Sequence, residues 1–408
     1  MRAPLASAGA AERGLDWSSR IRTGAFRLLA RILGGRIPRP LDCSSVHRIL
    51  VLQLQQLGDS IVFTPTLRAI RERFPDAQID MLCSPVSYEL YRKCPYIRRA
   101  FGAAWRGPSA RRLLSLLRVL LPIRREHYDL AIADATEVAA LYGITAAFTG
   151  APARIGFDDA YRGTFYTHRL QRPSGIDFVS CNLEIARLLG ARTDSAQVEA
   201  YYDDDDLRHA RELLARVGPE RAFIAIHPAS NWQSKTWFPE RWANLADQLA
   251  QRYEGHIIFV GASADGAYVS EIARLMQSPA ISLAGETTLP QLAALLSISD
   301  LFVGTDSGPR HVAAGAGANR VILMSSQDLP ERWDFHQPME IILRTDPACS
   351  PCFQSYCSHR TCMGQISESM VMEACATLLS HAVTEPGITE SRANQRGMFT
   401  GKLAARSS

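Results

Sequence analysis

"RILVLQLQQLGDSIVFTPTLRAIRERF", residues 48–74, sets an unbroken apolar run ahead of a stretch with helical spacing. Ile49 to Leu54 reads as a strand, and a helix is expected from about Ile61 to Phe74. Asp59 then falls in the turn between them, behind Gly58, either as a helix cap or as a carboxylate held out for chemistry. The same grammar recurs along the chain. Strands are expected at 48–54, 78–83, 129–134 and 153–157, with helices at 61–74, 109–121, 137–148 and 178–189. After the acidic "YYDDDD" (201–206) and a helix, a second alternation begins. Its strands are expected at 222–227, 256–260, 280–284, 300–304 and 320–324, and its helices at 239–252, 266–276, 289–297 and 310–315. The strand runs are apolar throughout rather than alternating, as strands of a parallel sheet covered on both faces are. Two such sets imply an α/β chain of two doubly wound domains, with ligands bound beyond the carboxyl ends of the strands.

Composition agrees with two ordinary domains. The chain has 408 residues, 47% hydrophobic and 21% charged, with a net charge of +4, so it reads as globular and carries no global field for nucleic acid. Its basic charge is uneven. Residues 1–41 hold eight arginines against Glu12 and Asp16, and a second basic stretch runs from Arg98 to Arg125. Within residues 15–36, Ile21, Ala25, Leu28 and Ile32 share a helical face opposite Arg20, Arg27 and Arg31, a pattern that suits an anionic membrane surface or packing on the domain itself. No apolar segment approaches membrane-spanning length and no signal peptide is evident, so the nine cysteines point to a reduced, cytoplasmic setting.

Three strand ends carry chemistry. "GTDSGPRHVAAGAG" (304–317) offers Asp306 and Ser307 as caps, Gly308 for close backbone approach, and helix-terminal amides suited to phosphate. "HPASNWQSKTWFPERW" (227–242) supplies Ser230, Asn231 and Lys235, a diphosphate clamp flanked by Trp232 and Trp237. "GASAD" (261–265) ends in Asp265, placed as a ribose acceptor or a helix cap. Neither G-x-G-x-x-G nor a Walker A lysine is present.

"LGDSIVFTPTLRAIRERFPDAQID" (57–80), "HPASNWQSKTWFPERWANLADQL" (227–249) and "SISDLFVGTDSGPRHVAA" (297–314) resemble glycosyltransferase family 9, the ADP-heptose:lipopolysaccharide heptosyltransferases, and the resemblance extends over roughly residues 47–380. The resemblance implies a GT-B fold, with a Rossmann-like acceptor domain (47–205) and a Rossmann-like nucleotide-sugar domain (206–345). Outside these the chain reads as a basic extension with an amphipathic helix (1–46), which exceeds the family pattern, a Cys-rich loop and C-terminal helix (346–383) and a disordered tail (384–408). It implies Asp59 as catalytic base, Lys235 on the donor diphosphate, and Ser230 and Asn231 in the neighbouring phosphate loop. Asp265 would lie near the ribose, Asp306 near the transferred sugar, Ser307 and Gly308 at the phosphate, followed by His311, with Thr287 or Leu289 bordering adenine. Arg310 stands where Met or Leu is more usual in the family.

The implied activity is inverting transfer of heptose from ADP-heptose to the inner core of lipopolysaccharide, with no cofactor and no metal in the reaction. The implied partners are the nucleotide-sugar and an anionic glycolipid, lipid A-Kdo or a heptosylated inner core. A monomer at the cytoplasmic face of the inner membrane, held peripherally, is expected. Alternatives are a GT-B transferase with another nucleotide-sugar, a nucleotide-sugar 2-epimerase, or an inactive lipopolysaccharide-assembly protein. "CSPCFQSYCSHRTC" (349–362) has zinc-ligand spacing at Cys349, Cys352, Cys357 and Cys362, with His359 spare; a redox-sensitive cluster or small buried hydrophobes are the other readings.

Overall fold

A chain whose apolar runs are buried on both faces can pair them only in parallel, with helices as crossovers. The computed structural model describes residues 41–104, 109–136, 140–158, 162–217, 222–335 and 337–383; the expected helix at 15–36 and the tail after residue 383 lie outside them. Two six-stranded sheets result. The first holds β1 (Arg48–Gln53), β2 (Gln78–Cys83), β3 (Arg99–Gly102), β4 (Leu130–Ala133), β5 (Ala153–Phe157) and β6 (His168–Leu170), in the order β3-β2-β1-β4-β5-β6. The second holds β7 (Phe223–His227), β8 (His256–Phe259), β9 (Ala280–Ser282), β10 (Leu301–Thr305), β11 (Arg320–Leu323) and β12 (Glu340–Leu343), in the order β12-β11-β10-β7-β8-β9.

Counted from the start of its own set, each sheet reads 3-2-1-4-5-6, the doubly wound nucleotide-fold order. The crossover direction therefore reverses between β1 and β4 and again between β7 and β10. Central strands are buried along their length, Ile49 to Leu52 and Leu301 to Val303 being fully so. The edge strands β3, β6, β9 and β12 are only partly covered, and β3 and β6 lack the apolar run that makes the central strands legible.

The opening stretch departs from its expected form in one respect. Its helix starts at Leu57, not near Ile61, and breaks at Phe63 into Leu57–Val62 and Thr64–Arg73. Pro65 has no N–H for the Ile61 carbonyl, and the Thr64 hydroxyl donates to that oxygen instead at 2.7 Å. Asp59 thus sits in the first turn of a helix rather than in the turn before it.

The helices leaving β1 and β10 meet each other, which turns the carboxyl ends of the two sheets toward one seam. Leu57–Val62 packs on Gly308–Ala316. A Cβ at Gly58 would lie 2.8 Å from His311 Cδ2, and one at Gly308 would lie 3.2 Å from Leu57 Cδ2. Gly308, read from the sequence as room for a ligand, is small here because the opposite domain is close. One apolar cluster runs unbroken from Ile49 and Ile61 to Phe302, Val312 and Ala313. The connecting strand of chain is pinned to both sides: Glu199 N donates to Thr64 Oγ1 at 2.8 Å and Val198 N to Gln337 Oε1 at 3.1 Å.

Candidate active site

The second switch point gathers a chain of buried charges. Lys235 Nζ lies 2.7 Å from Asp306 Oδ2, and Arg310 Nη1 takes the other carboxylate oxygen at 2.8 Å. Arg310 Nε in turn lies 3.2 Å from Glu340 Oε1, which also receives Arg320 Nε at 3.1 Å. Burial alone would raise the Asp306 carboxyl, yet Lys235 and Arg310 hold it well below the usual carboxylate range. Three cations against two carboxylates leave a surplus of positive charge beside the start of the Gly308–Ala316 helix. That terminus adds its own partial positive charge and the Gly308 amide, Pro309 having no N–H and Arg310 N donating to Ser307 O at 3.1 Å. An anion is the ligand this arrangement fits.

The remaining donor-side residues surround that centre. Lys235 also lies 5.4 Å from the centroid of half-exposed Trp232. Trp237, its other neighbour in sequence, is core: it is fully buried, packs edge-on to Trp242 and donates Nε1 to Ile366 O at 3.2 Å. Ser230 is partly buried and Asn231 exposed on the same loop. Asp265 Oδ2 accepts from Ala262 N at 2.8 Å and lies 3.4 Å from His227 Nε2, so it is both a cap and a charged partner. His227 Nδ1 is 3.1 Å from Ser307 Oγ. This buried histidine, ending β7, therefore ties Asp265 to Ser307. Gly285, at φ +81, lets its loop close on Ser263, where a Cβ would lie 2.7 Å from the Ser263 Cβ. Thr287, two residues on in the same loop, is half-buried. His311 is neutral: burial, with Arg310 nearby, pushes its imidazole down to about 3. Its ring stacks on Phe335 at 5.6 Å over Gly58, so it belongs to the seam.

Across the seam, the first switch point presents two acids. Asp59 is half-buried, and its Oδ2 accepts the Gln56 N–H at 3.0 Å. Asp134, just past β4, is fully buried. Gln53 Nε2 donates to Asp134 Oδ2 at 3.0 Å, the Thr136 hydroxyl donates to the same oxygen, and Ser60 Oγ donates to Gln53 Oε1 at 2.8 Å. Burial pushes the Asp134 carboxyl up to about 7; the Thr136 hydroxyl pulls against that rise and the charge of Asp59 adds to it. The structure thus brings Asp59 and the Lys235–Asp306 pair to facing strand ends, with an additional acid beneath Asp59.

The model of glycosyltransferase family 9 (heptosyltransferase) matches residues 116–362. The chain belongs to this family. It is 29% identical over 283 residues to lipopolysaccharide heptosyltransferase 3 of Escherichia coli K12, an alignment that spans 66% of this chain and 80% of that one. The fold is similar to that of a family 9 glycosyltransferase from Veillonella parvula (TM-score 0.72, 22% identity, 82% of this chain and 97% of that chain). It is also similar to ADP-heptose lps heptosyltransferase II of E. coli (TM-score 0.68, 20% identity, 82% of this chain and 99% of that chain).

Three residues of this family 9 chain were not singled out from sequence: His227, Asp134 and Glu340. A signal existed for the first two, since each is a polar residue closing an apolar strand beside a switch point. Glu340 heads an edge strand and gave none. The cysteines of residues 349–362 carried three open readings. All four line one cavity of about 270 Å³, but among the described residues no three His, Cys, Asp or Glu side chains are grouped to hold a metal ion. The thiols therefore do not fit the tetrahedral zinc reading. Their loop instead braces the Lys235 loop: Ser234 Oγ donates to Gln354 O at 2.7 Å, Cys357 N to Gln233 Oε1 at 3.0 Å, and Arg360 Nη1 to Thr236 Oγ1 at 3.1 Å.

Asp134 makes a pH prediction for this heptosyltransferase-family fold. Its folded pKa lies above the unfolded carboxylate value, so the folded state binds the proton more tightly. Stability is fully present below about pH 4 and declines as pH rises through about 7. An asparagine oxygen accepts the same two hydrogen bonds without the charge. Asp134→Asn is expected to gain stability over wild type across that window, by on the order of a few kcal/mol at its upper end. Urea unfolding at pH 5 and pH 8 reads this directly; equal gains at both pH values would contradict it.

Proposed function

We propose that the protein is an inverting transferase that moves a heptose from ADP-heptose to the inner core of lipopolysaccharide. One observation carries the reading: the two switch points oppose each other, an anion-binding charge cluster on one and a carboxylate on the other. The heptosyltransferase relatives supply the sugar, the nucleotide and the acceptor class. In the proposed step Asp59 accepts the proton of the acceptor hydroxyl, whose oxygen attacks the anomeric carbon. The bond from that carbon to the diphosphate breaks on the opposite side, and its electron pair leaves with ADP. Lys235, whose ammonium has three donors and gives two to the Asp306 carboxylate and carbonyl, and the amides at Ser307 and Gly308 stabilise the charge that develops there. Asp306 faces the same space and reads sugar hydroxyls.

The acceptor is a glycolipid in this reading, so the protein works as a peripheral enzyme at the inner face of the inner membrane. No helix among the described residues is long and apolar enough to cross a bilayer. The test is to incubate purified protein with a panel of nucleotide-sugars and truncated lipopolysaccharides and to weigh the products. A gain of one heptose, from ADP-heptose only and only with acceptor present, is the expected result. Donor turnover that ignores the acceptor would assign an epimerase or hydrolase instead.

A further inference from the structure

The helix Ser109–Arg125 carries two apolar stripes, and the fold uses only one. Leu120 and Ile123 point inward, packed with Leu50, Leu52, Leu82 and Tyr128. Leu114, Leu117 and Leu121 point outward, 55%, 40% and 52% exposed. Of the other large exposed hydrophobics among the described residues, Phe353 and Tyr356 share the Cys-rich loop, while Val86, Leu188, Trp232 and Leu275 lie on separate elements. Here three leucines at i, i+3 and i+7 form one stripe. At about 100° per residue, exposed Arg118 and Arg125 fall on the same side of the helix. Between Ser109 and Arg125 the sequence has five arginines and no acid. A face that is apolar along its centre, arginine-studded and free of counter-charge complements an anionic bilayer surface, not a neutral or acidic-poor protein face. Its location is also apt. The helix follows β3 and is tied to that strand's exit by Ala104 N donating to Ser115 Oγ at 3.0 Å. Its start therefore lies at the same end of the sheet as the loop carrying Asp59.

We propose that the outward face of Ser109–Arg125 docks the protein on anionic membrane, with Leu114, Leu117 and Leu121 entering the acyl boundary and Arg118 and Arg125 meeting lipid phosphates. The inference deepens, and rests on, the reading of the acceptor as a glycolipid. Docking on this helix would hold the acceptor edge of the cleft against the surface from which the glycolipid is presented.

The full chain is sedimented with vesicles of phosphatidylglycerol and phosphatidylethanolamine, and separately with phosphatidylcholine alone. Wild type should partition to the anionic vesicles and much less to the neutral ones. Leu114→Gln/Leu117→Gln/Leu121→Gln should lower anionic partition about tenfold or more, and Arg118→Gln/Arg125→Gln by a similar factor that shrinks in high salt. These positions are solvent-facing, and an unchanged thermal melt verifies that each variant folds. Both variants should transfer sugar to a water-soluble, lipid-free core oligosaccharide as wild type does, while losing turnover on vesicle-embedded glycolipid. Undiminished vesicle binding by the leucine variant overturns the proposal. So does binding that vanishes only when residues 1–40 are deleted, or a leucine variant that changes oligomeric state but not partition. Absence of transfer to either acceptor defeats the proposed function, while the sedimentation result still decides the docking face.

Discussion

Asp59→Asn is expected to lower kcat by about a hundred- to ten-thousand-fold while leaving ADP-heptose affinity within about twofold of wild type. The substitution separates the two roles of this side chain. Asparagine still offers an oxygen to the Gln56 N–H, so the helix start survives, and the stability change should stay under about 1 kcal/mol. What is lost is a group able to take the acceptor's proton. Lys235→Ala should show the reverse pattern, weaker donor binding by about ten- to a hundred-fold, because a charge-assisted contact is worth about 1.5–3 kcal/mol. The pair is read by single-turnover kinetics and donor calorimetry. Unchanged product release in the Asp59 variant would remove it from the chemistry and leave it a cap.

The second large effect lies farther from the chemistry. Glu340→Ala is expected to cost about 3–5 kcal/mol in urea unfolding, since it leaves Arg310 and Arg320 buried without their shared counter-charge. Its consequence should reach the site. Arg310 holds one oxygen of Asp306 and Lys235 the other, so an Arg310 that has lost Glu340 leans more heavily on that carboxylate and competes with Lys235 for it. Donor affinity should fall together with stability, whereas a change confined to stability would show that the network ends at Arg310. Arg320→Met removes one cation rather than the shared anion, leaves Glu340 paired with Arg310, and should cost less.

Arg310 illustrates where sequence reading stops. From the chain alone it is an odd cation in a phosphate loop; in the fold it is fully buried between Asp306 and Glu340. Asp59, Lys235 and Asp306 were legible because each lies in the segment that leaves an apolar run, and the carboxyl end of a parallel strand is where a doubly wound fold exposes chemistry. Asp134 ends such a run too, but its meaning depends on Gln53, 81 residues earlier, and on the charge of Asp59. The cysteines show what spacing leaves open: it allowed a metal beside two other readings, and the packed loop turned the thiols to a common cavity without convergence.

The order and type of the central strands, the two-domain plan and the loops that carry reactive groups were determined by the sequence, because burial on both faces of a sheet leaves an apolar signature readable along one dimension. The pairing of Asp306 with two cations, the neutral His311 at the seam, the helix that begins before Asp59 and the unpartnered leucines on Ser109–Arg125 were decided only in three dimensions. The reason is electrostatic and steric: the state of a buried charge, and the cover over an apolar side chain, depend on whatever lies within a few ångströms, and those neighbours come from distant parts of the chain.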